Sequence, residues 1–316
     1  MQFGVNPINK HLLKKILLTG SNGLIGSHIY SQLEVQSSIT SIDFDDGLSE
    51  KDCINLDLTD INQVNCFGED CDHFDVLIFL VGLAHKKGKG QELEEFRRIN
   101  KKTLINLLST LDKKNKLPEK IIFASTISVY GEKKTQSMYS EDSSKEPFSP
   151  YAVTKLEAEK YLLNNYSSQS WILRFAPVYA PDFQLNINRR TKTAGSFYKV
   201  GNGMGKLSLC NLANIGLAIK GILEDKVPSG IYNISDEKDY SYNDLLKYVN
   251  AKLVIPIPRV IVKGLYYVGK VMNNIFLMEN ATKLISNNIF PSAKIRQYIT
   301  LPATLDNINP KLKINN

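Results

Sequence analysis

A chain of 316 residues, 43% hydrophobic and 22% charged, carries enough apolar side chain for one large or two medium cores, which excludes a disordered or fibrous polymer. Its net charge of +7 suits an anionic partner, but the lysines are scattered, so a small anionic ligand answers that charge as well as nucleic acid does. Cys53, Cys66, Cys71 and Cys210 follow no secretory signal and read as cytoplasmic thiols, and Cys66, Cys71 and His73 lack the fourth partner that a zinc site needs, so no metal is expected.

In chain order, residues 1–14 read as a leader without periodic structure. "KKILLTG" is a short apolar run ending in glycine, and "SNGLIGSHIYSQLE" places Leu24, Ile25, Ile29 and Leu33 at helical spacing, giving strand, turn and helix. "SITSID" ends a second strand at Asp43. "FDVLIFLVG" (74–82) and "EKIIFAST" (119–126) are two further buried strands, with a helix over 91–114 between them. "SWILRFAPVYAP" (170–181) is another strand running into a proline-punctuated loop. Strands alternating with helices predict an α/β fold, a Rossmann-type doubly wound parallel sheet. Residues 1–175 are expected to form this sheet domain and 207–235 to return to it, while 176–206 and 236–316 build a smaller α/β region. Within that region "GIYNISDEKDYSYNDLLKYV" (230–249) reads as strand, turn and a helix capped by Ser241. "VIVKGLYYVGKVMNNIFLM" (260–278) is interrupted by Lys263, Lys270 and Asn273-Asn274, too polar to span a bilayer; it reads as a core or partner-facing helix, with a membrane-surface helix as the lesser reading.

Gly20, Gly23 and Gly26 lie between the first strand and its helix, where a tight turn needs open backbone and a pyrophosphate needs close approach to the helix amino end. The turn residues Asn22, Leu24 and Ile25 join them in the cofactor set. Asp43, 23 residues after Gly20, can accept hydrogen bonds from an adenosine ribose and would repel a 2′-phosphate, which favours NAD; Asp45 and Asp46 are its near rivals. In "SPYAVTKLEAEKYL" Ser149 caps a helix, Pro150 takes its first position, and Tyr151 and Lys155 share one face. A neighbouring ammonium and the positive helix end would both favour phenolate, poising Tyr151 as an acid or base near neutrality.

Taken together, Thr19-Gly20-x-x-Gly23-x-x-Gly26, Asp43, Asp57 in "NLDLTD", "STISVYGE" (125–132) and "PFSPYAVTKLEAE" (147–159) stand in an order and spacing that resemble the extended short-chain dehydrogenase/reductase family, in its nucleotide-sugar epimerase, dehydratase and reductase branch. The resemblance implies that Tyr151 is the catalytic acid/base, that Lys155 holds the nicotinamide ribose and lowers the tyrosine pKa, and that Thr126, or Ser125 in its place, hydrogen-bonds the reacting sugar oxygen. It further implies that Asp57 and Leu58 lie by the adenine, that Val81, Gly82 and Leu83 line the cofactor, with Asn100 and Thr103 beside it, and that His85 faces the substrate. Lys206 stands where an arginine usually holds a diphosphate; Arg189 and Arg190 are further candidates, and Arg296 a weaker one. The helices over 91–114 and 150–166 are the expected homodimer contact.

The branch oxidises a sugar hydroxyl to a 4-keto sugar. Dehydratases place Asp-Glu directly after the threonine, whereas Ile127 and Ser128 follow Thr126 here, so elimination is not expected. The resemblance implies a UDP-hexose 4-epimerase; Pro177 in "RFAPVYAP" resembles instead the 4-keto-sugar reductases of polysaccharide pathways. A dinucleotide-sensing regulator is the non-enzymatic alternative, against which Thr126, Tyr151 and Lys155 weigh, since a sensor needs no proton-transfer group.

Overall fold

The structure, a computed structural model, describes residues 13–44, 53–84, 93–131 and 137–307. His85, Asp45 and Asp46 lie outside the described residues.

Helices and strands alternate through the first half: β1 (Lys14–Thr19), α1 (Leu24–Leu33), β2 (Ser37–Asp43), β3 (Ile54–Asn55), α2 (Ile61–Asp70), β4 (Val76–Phe79), α3 (Leu93–Arg97), a π-helical turn (Arg98–Lys102), α4 (Thr103–Lys113), β5 (Lys120–Thr126), α5 (Pro150–Asn165) and β6 (Ser170–Phe175). The rest comprises β7 (Val178–Tyr179), α6 (Leu185–Thr191), β8 (Lys192–Thr193), β9 (Ser196–Val200), β10 (Lys206–Leu207), β11 (Cys210–Asn211), α7 (Leu212–Leu223), β12 (Gly230–Ile234), β13 (Tyr240–Ser241), α8 (Tyr242–Tyr248), β14 (Val254–Ile257), α9 (Arg259–Val271) and α10 (Ile275–Ile285). One seven-stranded sheet, ordered β12-β6-β5-β4-β1-β2-β3, is parallel throughout.

The apolar strand runs arise because both faces of the sheet are covered. Ile16 and Leu18 turn to one face, where they meet Ile29 and Leu33 of α1 and Ile215 and Ile219 of α7. Leu17 and Phe79 turn to the other, against Leu104, Leu107 and Leu111 of α4 and Leu162 of α5. The strand order reverses at the β1–β4 junction, and in such sheets ligands bind at the carboxyl ends of the strands beside that switch. Beyond β6 the chain returns to the sheet once: Asn211 caps α7, which packs on α1, and β12 then pairs with β6.

Local signals in the C-terminal half behave as their chemistry dictates. Ser241 and Asp244 form a reciprocal capping box at α8. Of the readings given for α9, a core helix does not hold: only Val262 and Gly269 of its residues are buried, because α10 covers one narrow stripe of it, while the partner-facing and membrane-surface readings stay open.

Candidate active site

The glycine turn is shaped by contacts that a side chain would destroy. Gly20 has φ +74° and presses on the end of β4, where an added Cβ would lie 3.2 Å from the Leu80 carbonyl carbon and from the Val81 nitrogen. At Gly26 the Cβ would come within 2.1 Å of the Gly20 carbonyl oxygen, so α1 starts tight against the turn. Asp43 closes the other side: its carboxylate accepts the Asn22 backbone N–H at 2.7 Å and the Phe44 N–H at 2.9 Å. The Ser21 hydroxyl at the turn is buried without a partner, a donor of the kind a phosphate oxygen satisfies. The turn therefore fits a dinucleotide.

Asp43, Asp57, Leu58, Val81 and Thr103 converge on one cavity of about 270 Å³, beyond the ends of β2, β3 and β4. Ile42, Leu56 and Arg98 also line it, none of them singled out from sequence. Asp57 is fixed by accepting the Thr59 N–H at 2.8 Å, and Arg98 reaches the Thr59 hydroxyl at 3.0 Å.

Asn100 sits in the π-helical turn, fully buried, and clamps the strand end. Its side-chain oxygen accepts the Leu83 N–H at 2.6 Å; its amide donates to the Leu83 carbonyl at 3.2 Å and to the Thr154 hydroxyl at 3.0 Å. An extra residue wound into a helix re-aims the side chains around it, and such turns recur at functional sites. Val81 to Leu83 are thus held from three directions: by Gly20, by Asn100 and by Lys155.

Helix α5 begins as its sequence requires, with Ser149 accepting the Ala152 N–H at 3.3 Å and Pro150 in the first turn. Lys155, one turn after Tyr151, is buried; its ammonium donates to the Ala124 carbonyl at 2.9 Å and the Val81 carbonyl at 3.1 Å, and lies 4.7 Å from the centre of the Phe123 ring. An added Cβ at Gly82 would lie 2.9 Å from that nitrogen, so only glycine leaves the amine its place. Thr126, at the end of β5, lies beside the Tyr151 phenol and favours its ionised form.

Two expectations change here. Ser125 does not stand in for Thr126: strand alternation turns it to the α5 face, where its hydroxyl donates to Glu159. The Tyr151 phenol is not poised near neutrality either. Burial pushes its pKa up to about 12, opposed by Thr126, and Lys155 has no part in the shift.

Burial likewise lowers the Lys155 pKa to about 7, with Glu159 acting in the opposite direction. An unfolded lysine titrates near about 10.4, so between those values the unfolded chain holds a proton that the folded chain has released, and the contribution of Lys155 to stability rises with pH. In cofactor-free protein the parent chain should therefore gain stability relative to Lys155→Met between about pH 7 and 9, by about 1 kcal/mol per pH unit. Denaturant titrations across that range measure it; parallel curves would contradict the assignment.

Behind the site lies a buried polar network that the sequence did not announce. The Arg174 guanidinium, 1% exposed, pairs with Glu159 through two bonds of 2.6 and 3.0 Å and donates to the Tyr130 hydroxyl at 2.9 Å. Tyr130 in turn donates to Asn233 of β12 at 2.6 Å.

The substrate-side candidates gather around another core. Ile187 of α6 and Leu207 of β10 pack with Tyr240, Tyr242 and Leu245, which brings Arg189 and Arg190, at the last turn of α6, and Lys206, exposed on β10, to the surface around one cluster. Arg190 donates to its own helix at Asn186, at 2.8 Å. Arg296 is structural in its visible bonds: it holds the Ser292 hydroxyl at 2.9 Å and the Ser235 carbonyl at 3.3 Å.

A doubly wound sheet with a glycine turn, an acidic residue ending β2 and a Tyr-x-x-x-Lys helix beside the turn defines a dinucleotide-dependent enzyme class. The model of the NAD dependent epimerase/dehydratase family matches residues 16–235, and the chain belongs to that family, whose dinucleotide is NAD. Over 188 residues it is 34% identical to an uncharacterized UDP-glucose epimerase, YtcB, of Bacillus subtilis (strain 168), covering 53% of this chain and 57% of that protein. It therefore spans little more than half the length of that relative. Against a UDP-glucose 4-epimerase of Vibrio cholerae the identity is 24% over 251 residues, covering 76% of each chain. The crystal structure of UDP-glucuronic acid 4-epimerase from Bacillus cereus in complex with NAD has the same fold, with a TM-score of 0.69 at 20% identity over 94% of both chains.

Proposed function

We propose that this protein is an NAD-dependent 4-epimerase of a UDP-linked hexose, acting through a 4-keto sugar with Tyr151 as the acid/base. One observation carries the reading: a continuous path joins the glycine turn to the phenol. Gly20 abuts Val81, Lys155 holds the Val81 carbonyl, and Tyr151, one turn earlier on the same helix, meets Thr126. When bound, NAD supplies a hydride acceptor and donor at the sugar carbon.

Thr126 would fix the reacting oxygen beside the phenol, and Tyr151 would take its proton as the alcohol becomes a ketone, then return it. Lys155 would hold the nicotinamide ribose and Asp43 the adenosine ribose, with Asp57 and Leu58 at the adenine. Lys206, Arg189 and Arg190 would grip the diphosphate. A UDP sugar and inversion at C4 are favoured by the names of the relatives above. The same reading includes a cytoplasmic homodimer paired through α4 and α5, and a role in polysaccharide synthesis.

A second reading, a nucleotide 4-keto-sugar reductase, is favoured by Pro177 and by the phenol: a group with its pKa near 12 rests protonated, the form that donates to a ketone. Elimination of water is disfavoured, since Ile127 and Ser128 follow Thr126 in place of an Asp-Glu pair.

Gently purified protein should release NAD in near-stoichiometric amount and interconvert UDP-hexoses differing at C4, followed by NMR. An empty site together with reduction of a 4-keto sugar by added NADH would select the reductase. Cofactor binding without turnover on any nucleotide sugar would leave the sensor.

A further inference from the structure

Helix α9 is amphipathic in the reverse of the usual sense. Its small buried stripe, Val262 and Gly269 with half-buried Tyr266, packs on α10 and on Tyr198 and Val200 of β9. The approach is close: a Cβ on Gly269 would lie 3.0 Å from the Met278 side chain. Everything else on the helix faces outward, and most of it is apolar. Val260, Gly264, Tyr267 and Val271 form one exposed row at i, i+4, i+7 and i+11; Ile261, Leu265, Val268 and Met272 form the next. At about 100° per residue these two rows cover roughly 160° of the circumference. Val271 is 88% exposed and Val260 71%, and Leu253, just before β14, adds a side chain 80% exposed.

The charged side chains of α9 itself, Arg259, Lys263 and Lys270, have one sign. Between Asp244 and Glu279 the sequence contains Lys247, Lys252, Arg259, Lys263 and Lys270 and no carboxylate. Arg259, Lys263 and Lys270 fall on a single strip of α9, between the buried stripe and the apolar rows. Long cationic side chains at the margin of an apolar face can lay their stems along it and raise their charges toward phosphates.

We propose that α9 docks the protein on an anionic phospholipid surface, lying in the plane of the interface with its apolar rows among the acyl chains and Arg259, Lys263 and Lys270 at the headgroups. A broad apolar face with a basic margin is what interfacial helices present. The complementary partner must be negative as well as apolar. A second copy of the same face would set Arg259, Lys263 and Lys270 against their own counterparts with no carboxylate on α9 to pair them, which disfavours self-association through this face. Among the described residues no helix is long and apolar enough to cross a membrane.

The test is co-sedimentation of the full chain with vesicles of phosphatidylglycerol and phosphatidylcholine, against vesicles of phosphatidylcholine alone. Binding should require phosphatidylglycerol and weaken as ionic strength rises. Val268→Asp with Val271→Asp should abolish it, and Lys263→Glu with Lys270→Glu should weaken it by roughly fivefold per removed cation. All four positions are exposed, so circular dichroism and thermal midpoint should stay at the parent values. The proposal is overturned if phosphatidylglycerol vesicles leave the protein in the supernatant, if neither pair of substitutions alters pelleting, or if the chain is a dimer that Val268→Asp with Val271→Asp makes monomeric without any vesicle binding.

Discussion

Replacing Tyr151 by Phe is expected to lower kcat by about 10³-fold while NAD and nucleotide-sugar affinities change by less than about threefold. The phenol oxygen is the one atom removed, and the Thr126 hydroxyl keeps its second contact, to the Ser128 N–H at 3.2 Å. Positioning survives and proton transfer does not. The size of the loss follows from what a positioned acid/base contributes, about 10² to 10⁴. Single-turnover rates together with calorimetric titration of both ligands separate the two effects. Activity within about tenfold of the parent would assign the proton to another group.

Arg174→Met should cost about 3–5 kcal/mol of stability. Arg174 and Glu159 are both at most 1% exposed, and the carboxylate loses both guanidinium bonds while staying buried with only the Ser125 hydroxyl. Glu159→Leu alone should cost as much, by stranding the guanidinium. The double replacement should recover part of the loss, since two charges removed together leave neither unpaired. Urea melts of the three variants give the coupling; single costs below about 1 kcal/mol would show that water or local rearrangement solvates the survivor. Because Glu159 also favours the charged form of Lys155, its loss should lower the lysine pKa further.

What could be read from the sequence is what local chemistry determines. The glycine spacing is imposed by contacts within a few residues, as Gly26 against Gly20 shows, and Ser149-Pro150 writes its own helix start. Two-faced burial produces uninterrupted apolar strands, so the parallel sheet was visible as well. The remainder depends on partners far away in sequence. Ser125 and Thr126 are adjacent and both hydroxylic, and only their partners on α5, Glu159 for Ser125 and Tyr151 for Thr126, separate their roles. The Arg174–Glu159 pair joins a strand to a helix, and Arg174 looks like an ordinary strand residue until that helix is placed. Arg98 reaches the cofactor side through a π-helical turn that no periodicity marks, whereas the resemblance had already placed Asn100 of the same turn there. For α9 the composition left a core, a partner-facing and a membrane-surface helix open, because the stripe that is covered and the rows that are exposed are both apolar and composition could not tell them apart.

Conversion of a UDP-hexose deuterated at C4 tests the central claim most directly. If a hydride leaves and re-enters C4 inside a site that excludes water while Tyr151 handles only the hydroxyl proton, the product inverted at C4 keeps its deuterium in ordinary water. Loss of that label to solvent, or inversion that proceeds undiminished in Tyr151→Phe, would contradict it.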